Sequence, residues 1–231
     1  MQRYFTNVKK DNQFVLSKED MYHIKVVMRM KDHDTIEVVY ENKVYICNIY
    51  KDSILIGEEM ITDDSKKIET VLCIPLLQEQ KMSFVLQKAT ELGIDEIIPI
   101  LTSRSMIKLE NKEEKKLERW NRIVKEASEQ SKRLTIPKIR DIQKISDLNL
   151  EGLKIVCSTL EKQNTLKKVL KNNSKCDRII MVVGPEGGLS SKEEQILEQL
   201  GFIPVTLGQN IMRVETVPIY LLSVLNYEMM E

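Results

Sequence analysis

Short runs rich in apolar and β-branched residues dominate the first 60 residues, and such runs bounded by polar turn residues are typical of β-strands. The runs lie at residues 13–16, 35–40, 44–49 and 53–56. Polar turn residues separate the last three runs, which predicts a meander within a small β-barrel or sheet. One helical pattern, at residues 17–30, begins with Ser17 three residues before Asp20, close to the spacing of a capping box.

Beyond a polar segment, ITDDSKK at residues 61–67, strand and helix patterns alternate. This alternation predicts βαβ units around a parallel sheet. Strands are predicted at residues 70–75, 96–101, 154–158, 178–183 and 202–207. Helices are predicted at residues 81–92, 112–133, 164–172, 190–200 and 216–229. We therefore expect an α/β protein with two domains, at residues 1–67 and 68–231.

Charge is balanced over the whole chain but unevenly distributed along it. There are 35 Lys and Arg against 35 Asp and Glu in 231 residues, so net charge indicates no partner. Residues 104–144 contain 13 basic and 7 acidic side chains, whereas residues 185–231 contain 2 and 7. The basic segment could present a face to phosphates. A solvated helix with ion pairs four residues apart accounts for it equally well.

Several classes of protein are excluded by what the sequence lacks. No run approaches the ~18 apolar residues of a membrane span, and MQRYFTNVKKDNQ has no signal-peptide core. The four cysteines form no C-x-x-C pair, and there are only two histidines. We expect a cytoplasmic protein with no membrane association, no disulfide framework and no metal site.

Two glycine-containing loops carry the candidate chemistry. The first, VVGPEGGLSSKEEQ at residues 182–195, lies between an apolar run and a helix. Its core, GPEGG at residues 184–188, matches neither nucleotide-binding glycine motif and contains no lysine for a terminal phosphate. Its backbone groups would be open to a ligand, and Ser190 and Glu193 have the spacing of a capping box. A tight turn that binds nothing is the alternative.

The second loop, LGQNIMRVETVP at residues 207–218, also follows an apolar run. Gly208 turns the chain, and Pro218 lies in the first turn of the next helix. Arg213 and Glu215 then fall at the end of a strand, where open α/β sheets bind ligands, so both loops should lie at one edge. A surface salt bridge between Arg213 and Glu215 is the alternative.

Together, VVGPEGGLSSKE and LGQNIMRVET closely resemble the paired cofactor loops of the RsmE-type enzymes, the ribosomal RNA uridine-N3 methyltransferases of the SPOUT class. Other stretches agree in the same order: MQRYF at the start, HIKVVMRM at 23–30, EQKMSFVLQKATELGIDEIIPI at 79–100, and TSRS followed by ERWNRIVKEASEQSKR at 118–133. The resemblance covers essentially all 231 residues. The chain departs from the family pattern at Asn210, usually arginine, and at Ser131, Val214, Val217 and Pro218.

The resemblance implies a PUA-like β-barrel that binds RNA, followed by a SPOUT α/β domain tied in a trefoil knot. It further implies S-adenosyl-L-methionine as methyl donor, a homodimer, and methylation of N3 of one uridine in small-subunit (16S) ribosomal RNA, within the 30S subunit. A SPOUT enzyme with another target, such as a ribose 2′-hydroxyl or a different base, is an alternative. An inactive RNA-binding relative is another, for which Asn210 is the hint.

Methyl transfer to uracil N3 needs a group that stabilises negative charge and one that takes the imide proton. Arg213 is the candidate for the first role, and Glu215 or Glu186 for the second. The residues that the resemblance assigns to the cofactor are Leu160, Gly184, Pro185, Glu186, Gly187, Gly188, Leu207, Gly208, Ile211, Met212 and Thr216. The RNA-binding candidates are Arg3, His23, Arg29, Arg104, Lys132 and Arg133. A lone histidine on a helix is usually structural, which is the alternative for His23.

Overall fold

Two β-sheets, each in its own unit of the chain, form the framework of this computed structural model, which describes residues 1–62, 68–105 and 113–229. One unit comprises Met1–Ser65 and Ser128–Thr135, and the other comprises Lys66–Ala127 and Ile136–Glu231. Residues 128–135, which the predicted boundary assigns to the second domain, therefore belong to the first unit. The first unit is built from two separate stretches of sequence.

The sheet of the first unit has six strands: β1 (Arg3–Phe5), β2 (Lys9–Lys10), β3 (Gln13–Phe14), β4 (Thr35–Tyr40), β5 (Lys43–Tyr50) and β6 (Ser53–Met60). Their order is β1-β4-β5-β6-β3-β2, and all pairs are antiparallel except β1 with β4. The predicted meander is confirmed as β4, β5 and β6. Glu41 and Asn42 turn the chain between β4 and β5 with positive φ at both positions, as two-residue hairpins require.

The predicted helix at residues 17–30 is shorter in the structure. It consists of α1 (Lys18–Tyr22) and a π-helical turn at His23–Val27. The oxygen of the Ser17 side chain accepts a hydrogen bond from the backbone N–H of Asp20 at 3.1 Å, so the predicted cap is confirmed. The helical run ends before Arg29, whose φ of 53° places it in the left-handed region.

The second unit contains a parallel sheet. Its strands are β7 (Glu69–Pro75), β8 (Glu96–Leu101), β9 (Lys138–Ile139), β10 (Gln143–Lys144), β11 (Leu153–Cys157), β12 (Arg178–Val182) and β13 (Ile203–Val205). The order is β10-β8-β7-β12-β11-β13, and β9 also pairs with β8. The apolar runs of the middle strands are buried on both faces, as expected for a parallel sheet covered by helices. The predicted α/β class is confirmed.

All five predicted helices of this unit are present: α2 (Glu79–Glu91), α3 (Glu113–Gln130), α4 (Leu166–Asn172), α5 (Ser191–Gln199) and α6 (Thr216–Met229). Neighbouring residues of β7 point to opposite faces of the sheet. Leu72 packs in the cluster with α2 and α6, and Val71 packs in the cluster with Leu197 of α5. This arrangement leaves the carboxyl ends of β11, β12 and β13 side by side at one edge.

Candidate active site

Loops that follow three neighbouring parallel strands line a cavity of ≈ 590 Å³ at this edge. Residues 158–162 follow β11, residues 184–189 follow β12, and residues 206–213 follow β13. The two loops predicted to share an edge do so. The volume lies within the ~300–1,000 Å³ of typical small-molecule sites.

The glycine loop, residues 184–189, closes as a tight turn that needs its glycines. The backbone N–H of Gly188 donates to the carbonyl of Pro185 at 2.8 Å, and Gly188 has a φ of +70°. A Cβ on Gly184 would lie 3.1 Å from Cγ of Leu189 and 3.3 Å from its backbone nitrogen. A side chain at residue 184 would therefore push the turn apart.

The end of the glycine loop is fixed by the predicted capping box. The Ser190 hydroxyl oxygen accepts from the backbone N–H of Glu193, and a Glu193 oxygen accepts from the backbone N–H of Ser190 at 2.8 Å. Glu193 also accepts from the backbone N–H and the hydroxyl of Ser103, at 2.6 and 3.0 Å. Burial acts to raise the pKa of Glu193, but these hydrogen bonds outweigh burial and lower it below its usual value.

Arg104, which follows β8, packs against the glycine loop. Its Nη1 donates to the carbonyls of Gly187 and Leu189 at 2.9 and 3.2 Å, and its side chain lines the cavity. The guanidinium is therefore engaged with carbonyls of the glycine loop in the second unit, and RNA contact by Arg104 stays a prediction. The sequence did not reveal this contact, because 83 residues separate Arg104 from Gly187.

The arginine loop, residues 206–215, is much more exposed. Gly208 has a φ of +128°, residues 208–211 are exposed, and Ile211 is 83% exposed. Arg213 lines the cavity and is exposed, and none of the described residues accepts a hydrogen bond from its guanidinium or pairs with it. The alternative salt bridge to Glu215 is therefore not formed. The backbone carbonyl of Arg213 accepts from the N–H groups of Thr216 and Val217, at 2.9 and 3.2 Å, at the start of α6.

An ammonium behind the loops contacts both candidate carboxylates. Lys81 of α2 forms an ion pair with Glu186, and its Nζ lies 3.6 Å from Oε2 of Glu215. The hydrogen bond with Glu186 is the main cause of a raised pKa at Lys81. Glu186 lines the cavity, whereas Glu215 does not and is 17% exposed. Nothing in the sequence distinguishes Lys81 from the other lysines of α2.

The third loop adds an apolar side chain to the lining. Leu160 is 72% exposed, and its backbone N–H donates to the hydroxyl of Ser158 at 3.2 Å. That hydroxyl in turn donates to Glu194 of α5 at 3.1 Å. An exposed leucine and the exposed Ile211 in one cavity lining are typical of a site for a flat apolar ring.

Ten of the eleven residues assigned to the cofactor line the cavity. These are Leu160, Gly184, Pro185, Glu186, Gly187, Gly188, Leu207, Gly208, Ile211 and Met212. Thr216, the first residue of α6, does not line the cavity, whereas its neighbour Val217 does. Among the catalytic candidates, Arg213 and Glu186 line the cavity together. Asn210, where the family usually has arginine, is also in the lining.

Three RNA-binding candidates, Arg3, Lys132 and Arg133, lie close together in the first unit, and the first two contact Glu37. Arg3 is 7% exposed, donates to Oε2 of Glu37 at 2.7 Å, and donates to the backbone carbonyls of Lys132 and Arg133. The Lys132 ammonium lies 2.9 Å from the same carboxylate oxygen. Burial raises the pKa of Glu37, but the hydrogen bonds from Lys132 and Arg3 outweigh it and lower the pKa. The guanidinium of Arg3 is therefore buried and engaged within the first unit, and RNA contact by Arg3 stays a prediction.

The other candidates of the first unit differ in exposure. His23 Nδ1 lies 2.9 Å from the hydroxyl of Tyr4, a contact that fits the structural alternative for this histidine. Arg133 is half-buried and donates to the carbonyl of Thr135 at 3.1 Å. Arg29 is exposed and follows the π-helical turn. The structure therefore leaves Arg29 and the exposed side of Lys132 open to a ligand.

Two further observations concern the described residues only. Nowhere in the ranges 1–62, 68–105 and 113–229 do three or more His, Cys, Asp or Glu side chains come together as a metal site. In the same ranges no helix has the length and apolar character to cross a membrane.

Comparison with known proteins identifies relatives over nearly the whole chain. The RNA methyltransferase domain matches residues 64–226. Ribosomal RNA small subunit methyltransferase E of Mesomycoplasma hyopneumoniae is 36% identical, over 96% of this chain and 98% of the relative. The protein of the same name from Bacillus subtilis is 31% identical, over 99% and 97%.

Solved structures agree with these sequence matches. Ribosomal RNA small subunit methyltransferase E of Neisseria gonorrhoeae, bound to S-adenosyl methionine, superposes with a TM-score of 0.88 at 27% identity, over 99% of this chain and 98% of that one. A Legionella pneumophila methyltransferase with bound SAM gives 0.88 at 26% identity, over 98% and 97%. The chain therefore belongs to the RNA methyltransferase family, among the ribosomal RNA small subunit methyltransferase E proteins.

Proposed function

We propose that this protein transfers a methyl group from S-adenosyl-L-methionine to N3 of a specific uridine in small-subunit ribosomal RNA. The observation that carries the proposal is the cavity at the carboxyl ends of β11, β12 and β13, whose lining includes both the glycine loop and Arg213. Relatives named for small-subunit ribosomal RNA, one of them solved with the methyl donor, support the choice of substrate and cofactor.

The cavity fits this cofactor in size and chemistry. Leu160 and Ile211 offer exposed apolar surface for an adenine ring, and the glycines leave backbone groups open for hydrogen bonds. Glu186 contributes negative charge to the lining, which complements a sulfonium cation. The bound cofactor would supply a methyl group activated by its positively charged sulfur.

The chain's own residues would stabilise and deprotonate the uracil. Arg213 is exposed in the lining, and its guanidinium has none of the described residues as partner, so it can donate to a uracil carbonyl oxygen as negative charge develops there. Of the two candidate carboxylates, Glu186 lines the cavity and Glu215 does not. We therefore assign proton acceptance to Glu186 and place Glu215 behind the loop.

The finer features implied by the resemblance belong to the same proposal. The six-stranded sheet of the first unit would be a PUA-like barrel that binds RNA through Arg29, Lys132 and Arg133. The second unit would be a SPOUT domain with a trefoil knot and a homodimer interface, acting on the 30S subunit in the cytoplasm. Light scattering should then give about twice 26.9 kDa, and a monomer that still methylates would contradict the dimer.

Nucleoside analysis of small-subunit ribosomal RNA tests the proposed function. RNA from cells without the protein should lack N3-methyluridine at one position, and incubation with the purified protein and S-adenosylmethionine should restore it. Appearance of a ribose-methylated or otherwise methylated nucleoside would instead assign another target. Cofactor binding without any product would identify an inactive RNA-binding relative.

A further inference from the structure

Of the two lysines of α2, Lys81 and Lys88, only Lys81 contacts the loops that line the cavity. Its ammonium pairs with Glu186 of the glycine loop and lies 3.6 Å from Glu215 of the arginine loop. Lys88, about two helical turns further on, pairs instead with Glu91 of the same helix at 2.8 Å. The second arrangement is an ordinary surface pair, whereas the first connects two loops that line the cavity.

Glu215 depends on Lys81 for its charge compensation. Oε2 of Glu215 is buried and accepts no hydrogen bond. Among the described residues, Lys81 is the one cation that lies within 4 Å of this oxygen. A carboxylate oxygen in such a setting is strongly destabilised when its counter-charge is removed. It will then attract the nearest available cation.

Arg213 is the nearest cation along the chain, two residues before Glu215. Guanidinium groups bind carboxylates with two parallel hydrogen bonds, so a pair between Arg213 and Glu215 would be favourable once Lys81 is gone. In the structure that pair is not formed, and Arg213 lines the cavity. The position of Arg213 thus depends on which cation Glu215 faces.

We infer that Lys81 is a positioning residue: its ammonium holds Glu186 at the cavity and Glu215 behind the arginine loop, and so keeps the Arg213 guanidinium unpaired in the cavity. The inference rests on the proposed function for the role of Arg213 in methyl transfer. It adds to that function an internal competition between two cations, Lys81 and Arg213, for one carboxylate.

The test compares Lys81→Met with Lys81→Arg and with the control Lys88→Met, all in the full-length protein. Lys81→Met should slow single-turnover methyl transfer about tenfold, the size expected for directly coupled residues. Its affinity for S-adenosylhomocysteine, measured by calorimetry, should change no more than about threefold, as for an effect on the chemical step. Lys81→Arg should retain most of the rate, and Lys88→Met should match the wild type.

Two additional measurements separate positioning from a general structural role. In a Glu215→Gln background, Lys81→Met should cost much less than it does in the wild type, because the competing carboxylate is gone. The Nε–Hε NMR signal of Arg213, assigned with Arg213→Lys, should shift in Lys81→Met and return in Lys81→Met with Glu215→Gln. This signal can be read without any activity.

The outcomes are distinguishable from failure of the proposed function. A wild-type protein that methylates no RNA would overturn that function, while the NMR signal would still decide the role of Lys81. An unshifted Arg213 signal in Lys81→Met overturns the inference. So does a rate loss of the same size in the wild-type and Glu215→Gln backgrounds.

Discussion

The two loops that line the cavity are built in opposite ways. In the glycine loop, a turn bond, the adjoining capping box and the hydrogen bonds from Arg104 to the carbonyls of Gly187 and Leu189 fix the shape of the backbone. Ser103 donates to the Glu193 carboxylate of that capping box. In the arginine loop, residues 208–211 are exposed, and the hydrogen bonds are confined to its ends, at Thr206 and Thr216. One side of the cavity is rigid before any ligand arrives, and the other is free to adjust.

This difference suggests a division of work between the loops. A fixed loop binds a ligand without an ordering cost, which favours affinity. An exposed loop can close when a second ligand binds, which favours steps that need both ligands. Changes in the glycine loop should therefore act on cofactor affinity, and changes in the arginine loop should act on methyl transfer.

Arg213→Ala should produce the largest effect. Loss of a donor that acts on developing charge lowers turnover by about 10²–10³-fold. S-adenosylmethionine affinity and RNA affinity should change only a few-fold, because the interaction belongs mainly to the transition state. Single-turnover kinetics at saturating cofactor and RNA measure the loss, with Arg213→Lys as the variant that keeps the charge. An unchanged rate would show that Arg213 does not contribute to methyl transfer.

Gly184→Val should have the second largest effect, and it should lower the affinity for the cofactor. The new side chain would press on Leu189, which is held by the bonded turn, so cofactor affinity should fall by about tenfold or more, as for overpacking of a fixed site. Gly208→Ala is the comparison in the other loop: no atom lies within 4 Å of the new Cβ, and the strain of a side chain at a φ of +128° falls on the exposed residues 208–211, which can shift. Calorimetry should show a smaller loss for Gly208→Ala, and equal losses would contradict the contrast between the loops.

Arg104→Ala should weaken cofactor binding by about fivefold, since it removes two charge-assisted hydrogen bonds to the carbonyls of Gly187 and Leu189. The rate at saturating cofactor should change little. Arg122→Ala, at an exposed position on α3, is the control for loss of positive charge. A loss of RNA affinity with intact cofactor binding would return Arg104 to the RNA-binding residues.

Glu193→Gln should have the smallest effect, about 1 kcal/mol of the free energy of unfolding at neutral pH, as for a lost helix cap. The folded-state pKa of Glu193 is lowered, so its carboxylate stabilises the fold above the unfolded pKa of about 4.3. That stability is lost as pH falls through the folded pKa. Urea unfolding should show the two proteins converging in acid, with the exposed Glu198→Gln as control. If the two proteins still differ in free energy of unfolding in acid, the shape of the Glu193 side chain and not its charge explains the loss of stability.

The sequence predicts the local structure of the glycine loop but not the residues that contact the two loops. The β12 strand, the glycine loop and the cap of α5 follow from local signals: an apolar run, glycines, and Ser190 three residues before Glu193. The partners of the loops did not follow, because Lys81, Ser103 and Arg104 reach them through tertiary packing over distances of 83 residues or more. Arg213 was found because a lone cation in an acidic segment stands out.

Other misses have similar physical causes. The strands β9 and β10 have two residues each, too few to show any period. The burial of Arg3 could not be read from the sequence, because a carboxylate and two carbonyls from distant residues satisfy its guanidinium. The helix at 17–30 ended early because a π-helical turn leads into the left-handed backbone of Arg29.

The discontinuous makeup of the first unit has a consequence for biosynthesis. Arg3 needs the carbonyls of Lys132 and Arg133, which lie 129 and 130 residues further along the chain. A ribosome that has made only residues 1–67 has made a sheet whose buried guanidinium still lacks these acceptors. The amino-terminal unit therefore reaches its final structure only after much of the second unit has been translated, and the two halves of the enzyme mature in an interleaved order.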